Sequence, residues 1–302
     1  MIAGAFRLAL LLSLTLTVTG AWAVSEPTSQ PTTRPATMIL HLPTAPYPHP
    51  SRKDGYKSGD ETFPMAGHYD DDSVGIYVPE KFKAPDGPAD FVIHFHGHRN
   101  HVTKVFEQYD LAGQMEKSGV NAILVVPQGP YEVPDSSFGK MADEGGFAAM
   151  MNDVANELVK RGVLRSAQIG RIVLAGHSGG YLPVATVLDH GGLTDHITDV
   201  LLFDASYGSL DSYVNYISDQ TKPRRLISIC TAHLAGQNMM MMAMLQDRGV
   251  KYEVKIDGKL TDDIVRPRGP LFIHTRDLAH GEVLGKRDYM AMWVRTSALA
   301  DK

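Results

Sequence analysis

Short, continuous runs of apolar residues recur along this chain, and they restrict its fold more than any other feature. They lie over 91–95, 122–126, 172–175, 200–203 and 226–230, each rich in β-branched, leucine or aromatic side chains. A strand with one wet face alternates apolar and polar residues, so a continuous run predicts a strand covered on both faces. Between the runs, apolar residues fall at helical spacing. Val105, Phe106, Leu111 and Met115 precede Gly119; Phe147, Met150, Met151, Val154 and Leu158 precede Gly162; a further helical stretch covers 184–188. Alternation of this kind predicts an α/β fold with a mostly parallel central sheet and helices on both faces. An earlier run over 73–78 is separated from 91–95 by the turn-like Ala84-Pro85-Asp86-Gly87-Pro88, which allows an antiparallel hairpin.

Not all 302 residues belong to that sheet. Residues 1–23 carry Arg7, an apolar run over 8–18 and then Ala21-Trp22-Ala23. This is the pattern of a secretory signal peptide cleaved after Ala23, and it predicts an exported protein, periplasmic or extracellular. The apolar run is shorter than the ~20 residues a membrane span needs, so no stable span is expected. Residues 24–55 hold Pro27, Pro31, Pro35, Pro43, Pro46, Pro48 and Pro50 with threonines between them. Proline removes backbone donors and favours extended chain, so this segment is expected to be a stiff, solvated tether. Residues 56–302 remain for the catalytic domain, long enough to bury roughly 70–75% of its unfolded surface.

Charge and cysteine content narrow the chemistry. With 29 Lys and Arg against 34 Asp and Glu, the chain carries a net charge of −5 and has no electrostatic reason to bind nucleic acid. Its one cysteine, Cys230, excludes an internal disulfide and a cysteine-based zinc cage. Cys230 ends an apolar run and is expected to be buried. Nothing in the periodicity indicates a coiled coil, and a monomer is the default.

An open parallel sheet works at the carboxyl ends of its strands, so the residues after each apolar run carry the chemistry. After Arg171-Ile172-Val173-Leu174-Ala175 comes Gly176-His177-Ser178-Gly179-Gly180, a G-x-S-x-G pattern between a strand and a helix. The requirement is steric: a serine on a sharp turn needs small neighbours two residues to either side, where strand and helix backbones pass closely. Such a turn lifts the Ser178 hydroxyl above the sheet and aims the Gly179 N–H where an oxyanion would form, beside a helix N-terminus. A serine hydroxyl is a weak nucleophile at neutral pH; it needs a base, and the base needs an acid to orient it. Asp204 follows Val200-Leu201-Leu202-Phe203, and His280 sits in the loop-like Arg276-Asp277-Leu278-Ala279-His280-Gly281. Asp257 and Asp277 are alternatives for the acid, and His274 for the base.

The order Ser178, Asp204, His280 and the setting of the serine motif resemble the α/β-hydrolase superfamily of serine hydrolases, over about residues 61–302. The resemblance implies the α/β-hydrolase fold, with Ser178 as nucleophile, His280 as base and Asp204 as acid. Gly176, His177 and Gly180 would complete the turn around Ser178. The stretch Phe91-Val92-Ile93-His94-Phe95-His96-Gly97-His98 ends a strand with His-Gly, as esterase and lipase relatives do. There the next residue donates a backbone N–H, which implies that His98 and Gly179 form the oxyanion hole. Most relatives place the acid after the following strand, here 226–230, but Thr231-Ala232-His233 offers no carboxylate. Other relatives place it one strand earlier, which matches Asp204. The implied function is a secreted serine hydrolase cleaving a small-molecule or polymer-linked carboxylic ester, without metal or organic cofactor. A serine peptidase or amidase on the same residues is the alternative.

Two further classes compete. His94, His96, His98 and His101 resemble the start of a zinc-hydrolase ligand cluster, although Arg99-Asn100 stands where such a motif has aspartate. Alternation on a strand gives these histidines a second reading, as hydrogen-bonding supports of the oxyanion loop. A non-catalytic binding protein on a hydrolase scaffold is the other class. The loop over 128–139, with Tyr131, and Tyr207 beside Asp204 are candidate pocket walls, Tyr207 on the leaving-group side. The methionines Met239 to Met242 and Met244 read as core filler on a helix.

Overall fold

The structure, a computed structural model, describes Met1 and residues 37–300. The expected signal segment from residue 2 to 23, and residues 24–36 of the expected tether, lie outside the described residues. The described fold belongs to the compact unit of residues 35–302.

Among the described residues eleven strands form, in chain order: β1 (Thr37–His41), β2 (Tyr56–Ser58), β3 (Glu61–Phe63), β4 (Ser73–Tyr77), β5 (Ala89–Phe95), β6 (Ala122–Pro127), β7 (Ile169–His177), β8 (Ile197–Phe203), β9 (Arg225–Cys230), β10 (Glu253–Ile256) and β11 (Gly269–His274). Nine of them make one sheet in the order β1-β4-β6-β5-β7-β8-β9-β11-β10, while β2 and β3 pair separately. From β6 to β10 every neighbouring pair is parallel; β4 runs antiparallel to both β1 and β6. This is the mostly parallel sheet that the continuous apolar runs predict.

Helices α1 (Val102–Gln108), α2 (Leu111–Ser118), α7 (Asp262–Val265) and α8 (Tyr289–Arg295) cover one face. Helices α3 (Gly146–Lys160), α4 (Tyr181–His190), α5 (Leu210–Ser218) and α6 (Ala235–Asp247) cover the other. Successive strand residues alternate between the two cores: Phe91, Ile93 and Leu174 join one, and Val92, Val173 and Ala175 the other. Both sides of each central strand are therefore dry, which is why the runs show no polar alternation.

Four local expectations differ from the structure in whole or in part. Residues 37–55 are not a solvated tether: β1 is an edge strand of the sheet, and Leu40, Ala45 and Tyr47 are buried. The Tyr47 hydroxyl donates to the Ser137 carbonyl at 3.0 Å, and its ring meets Tyr69 edge-on. The proline content of the whole segment masked a proline-free apolar stretch, Met38-Ile39-Leu40, that can pair at an edge. The strand over 73–77 makes no hairpin with β5, because β6 lies between them. The helical stretch before Gly119 is two helices, broken where Asp110 turns to a φ of 47° and its side chain caps the Gly113 N–H. The methionine run divides on α6, with Met241 buried and Met239 and Met240 exposed.

Candidate active site

The carboxyl end of β7 delivers Ser178. Its φ of 54° lies in the left-handed region, an uncommon conformation for a residue with a β-carbon. The surrounding glycines make that turn possible. A β-carbon on Gly180 would stand 2.3 Å from the Phe95 carbonyl oxygen, and one on Gly176 2.8 Å from that of Gly180. Residues Ser178–Gly180 form a single tight turn leading into α4, and the first N–H groups of such a turn have no partner within it.

Two other strands bring their ends to the same point. Asp204 follows β8 and is fully buried, also with a positive φ, of 47°. His280 opens a short turn after β11 and is half-buried. Its Nε2 lies 2.8 Å from Ser178 Oγ and its Nδ1 2.7 Å from Asp204 Oδ2. Asp204 also accepts hydrogen bonds from the Thr231 amide and the Thr231 hydroxyl, both at 2.9 Å. Burial works to raise the Asp204 pKa, but the bonds from His280 and Thr231, with His233 nearby, outweigh it and hold the carboxyl below its usual range. The group is therefore an ionised acceptor facing the imidazole.

The alternatives for acid and base lie elsewhere. His274 ends β11 with Nδ1 3.9 Å from Cys230 Sγ, and burial pushes that thiol up to about 12, so it stays protonated. Asp257 accepts from the Thr275 hydroxyl at 2.8 Å and from Arg287 at 2.5 Å, and Asp277 pairs with Arg287 at 3.6 Å. None of the three touches Ser178 or His280.

His177 supports His280 from below. The two rings stack at 5.0 Å, and His177 Nε2 bonds the His280 carbonyl at 3.0 Å. Burial lowers the His177 pKa to about 4, so it is a neutral donor here. Beside Ser178 opens a cavity of about 280 Å³ whose walls include Asn100, Lys104, Gln108 and Tyr109. His98 stands over Gly179, with Nε2 2.8 Å from Ser136 Oγ. Its backbone N–H has no hydrogen-bond partner among the described residues. Tyr207 lies on the other side of His280, edge-on to its ring at 6.2 Å. Tyr131 does not line this cavity; it stacks on His101 at 4.7 Å, so the pocket role expected for it is not what the structure shows.

The histidine cluster does not assemble as a metal site. His96 accepts from the Gly129 amide at 3.0 Å and bonds the Gly97 carbonyl at 2.8 Å, tying the loop after β5 to the loop after β6. His101 caps α1, and His94 is buried inside the sheet with its pKa well below the ordinary range through burial. Among the described residues, the groups with metal-ligand spacing are Asp204, His233 and His280, and His41, Asp71 and Asp72. The zinc expectation at His94 to His101 therefore lacks a converging ligand set. Strand alternation put His94 and His96 on one face, but His96 is spent on the Gly97 carbonyl and the Gly129 amide, while both ring nitrogens of His94 are buried without a hydrogen-bond partner among the described residues.

No family model matches this chain, and no curated protein matches it. Solved structures do. The S954A mutant of the feruloyl esterase module from Clostridium thermocellum, complexed with sinapinate, aligns with a TM-score of 0.52. The alignment covers 87% of this chain and 88% of that one, at 13% identity. The fold is that of the α/β-hydrolases. An S-formylglutathione hydrolase from Staphylococcus aureus aligns at a TM-score of 0.50 and 10% identity, covering 86% of this chain and 97% of that one. Within this α/β-hydrolase fold, Thr231, His233, Ser136 and Tyr109 stand at the site without having been singled out in the sequence. Thr231 and His233 follow β9, so their place at a strand's carboxyl end was the available signal.

Proposed function

We propose that this protein is a serine hydrolase that cleaves a carboxylic ester through an acyl-enzyme. The observation that carries the reading is the continuous hydrogen-bonded chain Ser178–His280–Asp204 at 2.8 and 2.7 Å, with its serine on a strained turn. His280 Nε2 takes the proton as Ser178 Oγ attacks the ester carbonyl carbon. The imidazolium that forms lies against the ionised Asp204, which offsets its charge and holds the ring in place. The backbone N–H groups of Gly179 and His98 receive the oxyanion; one such donor is worth about 3–4 kcal/mol of barrier. His280 then returns the proton to the departing alcohol, and water, activated by the same imidazole, releases the acid.

The two solved structures, one named a feruloyl esterase and the other an S-formylglutathione hydrolase, support hydrolysis of carboxylic esters and related acyl compounds. The test is hydrolysis of a short-chain acyl ester by wild type and by Ser178→Ala, with circular dichroism to check folding. The reading requires that the variant, folded, lose nearly all turnover; retained turnover that a chelator abolishes would favour metal chemistry. We also propose export, on the pattern of residues 7–23, with a mature chain beginning at Val24. Intact mass of the exported protein tests this.

A further inference from the structure

The hydrogen-bond chain through Asp204 has a second branch that acyl transfer does not use. Thr231 Oγ1 donates to Asp204 Oδ2, so its only proton is committed. The Thr231 oxygen then accepts from His233 Nδ1, 2.6 Å away. A neutral imidazole with its proton on Nδ1 is an acceptor at Nε2. The Tyr207 hydroxyl lies 2.8 Å from that nitrogen and must donate to it. Burial and the charge of Asp204 hold the Tyr207 phenol above its ordinary range, so no phenolate forms. Tyr207 therefore spends its single proton on His233 and presents only lone pairs to the cleft.

The place of those lone pairs gives them a use. Tyr207 stands edge-on to His280, yet it remains 40% exposed. His280 must hand a proton to the leaving alcohol, so the alcohol half of an ester lies on this side. An acceptor there calls for a donor on the substrate. Asn100, Lys104 and Gln108 line the neighbouring cavity with polar groups of the kind that can hydrogen-bond a hydroxyl.

We propose that Tyr207, fixed by His233 and Thr231, is an acceptor subsite for a free hydroxyl beside the acylated oxygen, so that the substrate is the ester of a polyhydroxylated alcohol. The inference rests on the serine-esterase reading above. His233 is a positioning residue: it serves the subsite by directing the Tyr207 proton.

The test compares 2-hydroxyethyl acetate with 2-methoxyethyl acetate, which share the acetyl group and differ in whether the alcohol can donate. Both esters are assayed at the same pH, about 8, above the ordinary histidine range. Wild type should favour the hydroxyl-bearing ester about tenfold in kcat/KM, the factor expected of one hydrogen bond. Tyr207→Phe should bring that ratio to about one, and His233→Ala should lower it by freeing the Tyr207 proton. His233→Gln, whose amide oxygen can still accept from Tyr207, should restore it. The ratio cancels effects on Asp204 that both substrates share. A wild-type ratio near one, or a preference surviving Tyr207→Phe, would overturn the subsite. Hydrolysis of neither ester by folded wild type, with no fluorophosphonate labelling, would overturn the serine-esterase reading instead. Monoacetylglycerol and a monoacetylated methyl glucoside, run in parallel, distinguish glycerol-like from sugar-like alcohols by the larger Tyr207-dependent ratio.

Discussion

Two fully buried carboxylates lie five residues apart at opposite ends of β8, and the chain answers them in opposite ways. Asp199, near the amino end, accepts from Arg225 Nε at 2.6 Å and from Arg268 at 2.8 Å. Arg225 is itself buried and uses its other donors on the carbonyls of Val265 and Trp293 and the hydroxyl of Thr296. Asp204, at the carboxyl end, is held by the amide and hydroxyl of Thr231 and by His280. The first carboxylate has permanent cations beside it. The second has neutral donors and an imidazole, so its charge remains available to stabilise a proton arriving on His280. Electrostatic attraction is large where water is absent, so which partner carries the charge decides whether a buried acid serves stability or chemistry.

Removing the charge at each site should separate those roles. The largest effect is expected at Asp204. Asp204→Asn keeps the shape but removes the charge and misdirects the imidazole, lowering kcat by about 10⁴-fold in steady-state assays. Asp199→Ala should do the reverse. It leaves the Arg225 guanidinium buried without its carboxylate, costing about 3–5 kcal/mol in urea unfolding, while kcat per folded molecule is retained. If the Asp199 variant lost turnover without losing stability, the division between the two ends would fail.

A smaller change sharpens the carboxyl end. Thr231→Val removes one of the hydrogen bonds that depress the Asp204 pKa and removes the His233 acceptor. The Asp204 pKa should then rise, moving the acid limb of the kcat/KM profile to higher pH. Activity on the plateau should fall about tenfold, the equivalent of one charge-assisted hydrogen bond.

The least effect per step concerns pH and stability. His96 and His177 lie at the carboxyl end of the sheet, buried, with pKa values lowered to about 4 from 6.5 by burial. The unfolded chain thus binds more protons than the folded one between those values, and stability falls as pH drops from 6.5 toward 4. Each histidine contributes a slope of up to about 1.4 kcal/mol per pH unit in that window. Hydrogen exchange should show protection lost first around β5 and β7 rather than around the Asp199 pair, whose guanidiniums do not titrate there.

The sheet was legible because burial on both faces leaves a visible mark: the runs over 122–126, 172–175 and 200–203 carry no polar interruption. Ser178, Asp204 and His280 could be proposed as partners because each follows such a run or precedes the last helix, and the structure brings them together. Other features depend on contacts between distant segments. That β6 inserts between β4 and β5 is a matter of pairing order, which no local pattern records. The strand over 37–41 was hidden by the prolines around it. Thr231 and His233 carry no charge of the sort sought after a strand, so their work on Asp204 and Tyr207 emerged only from side-chain geometry. His94, His96, His98 and His101 present the converse case, a suggestive spacing in which the last three turn to separate partners and His94 is buried with none among the described residues.

The claim on which the rest depends is that Ser178 carries the acyl group. Reaction with a fluorophosphonate, followed by tandem mass spectrometry of the digest, locates the covalent adduct directly. The account predicts one adduct per chain, on the Ser178 hydroxyl, with ester hydrolysis lost in proportion to labelling. An adduct on another residue, or full hydrolysis in a completely labelled sample, would contradict it.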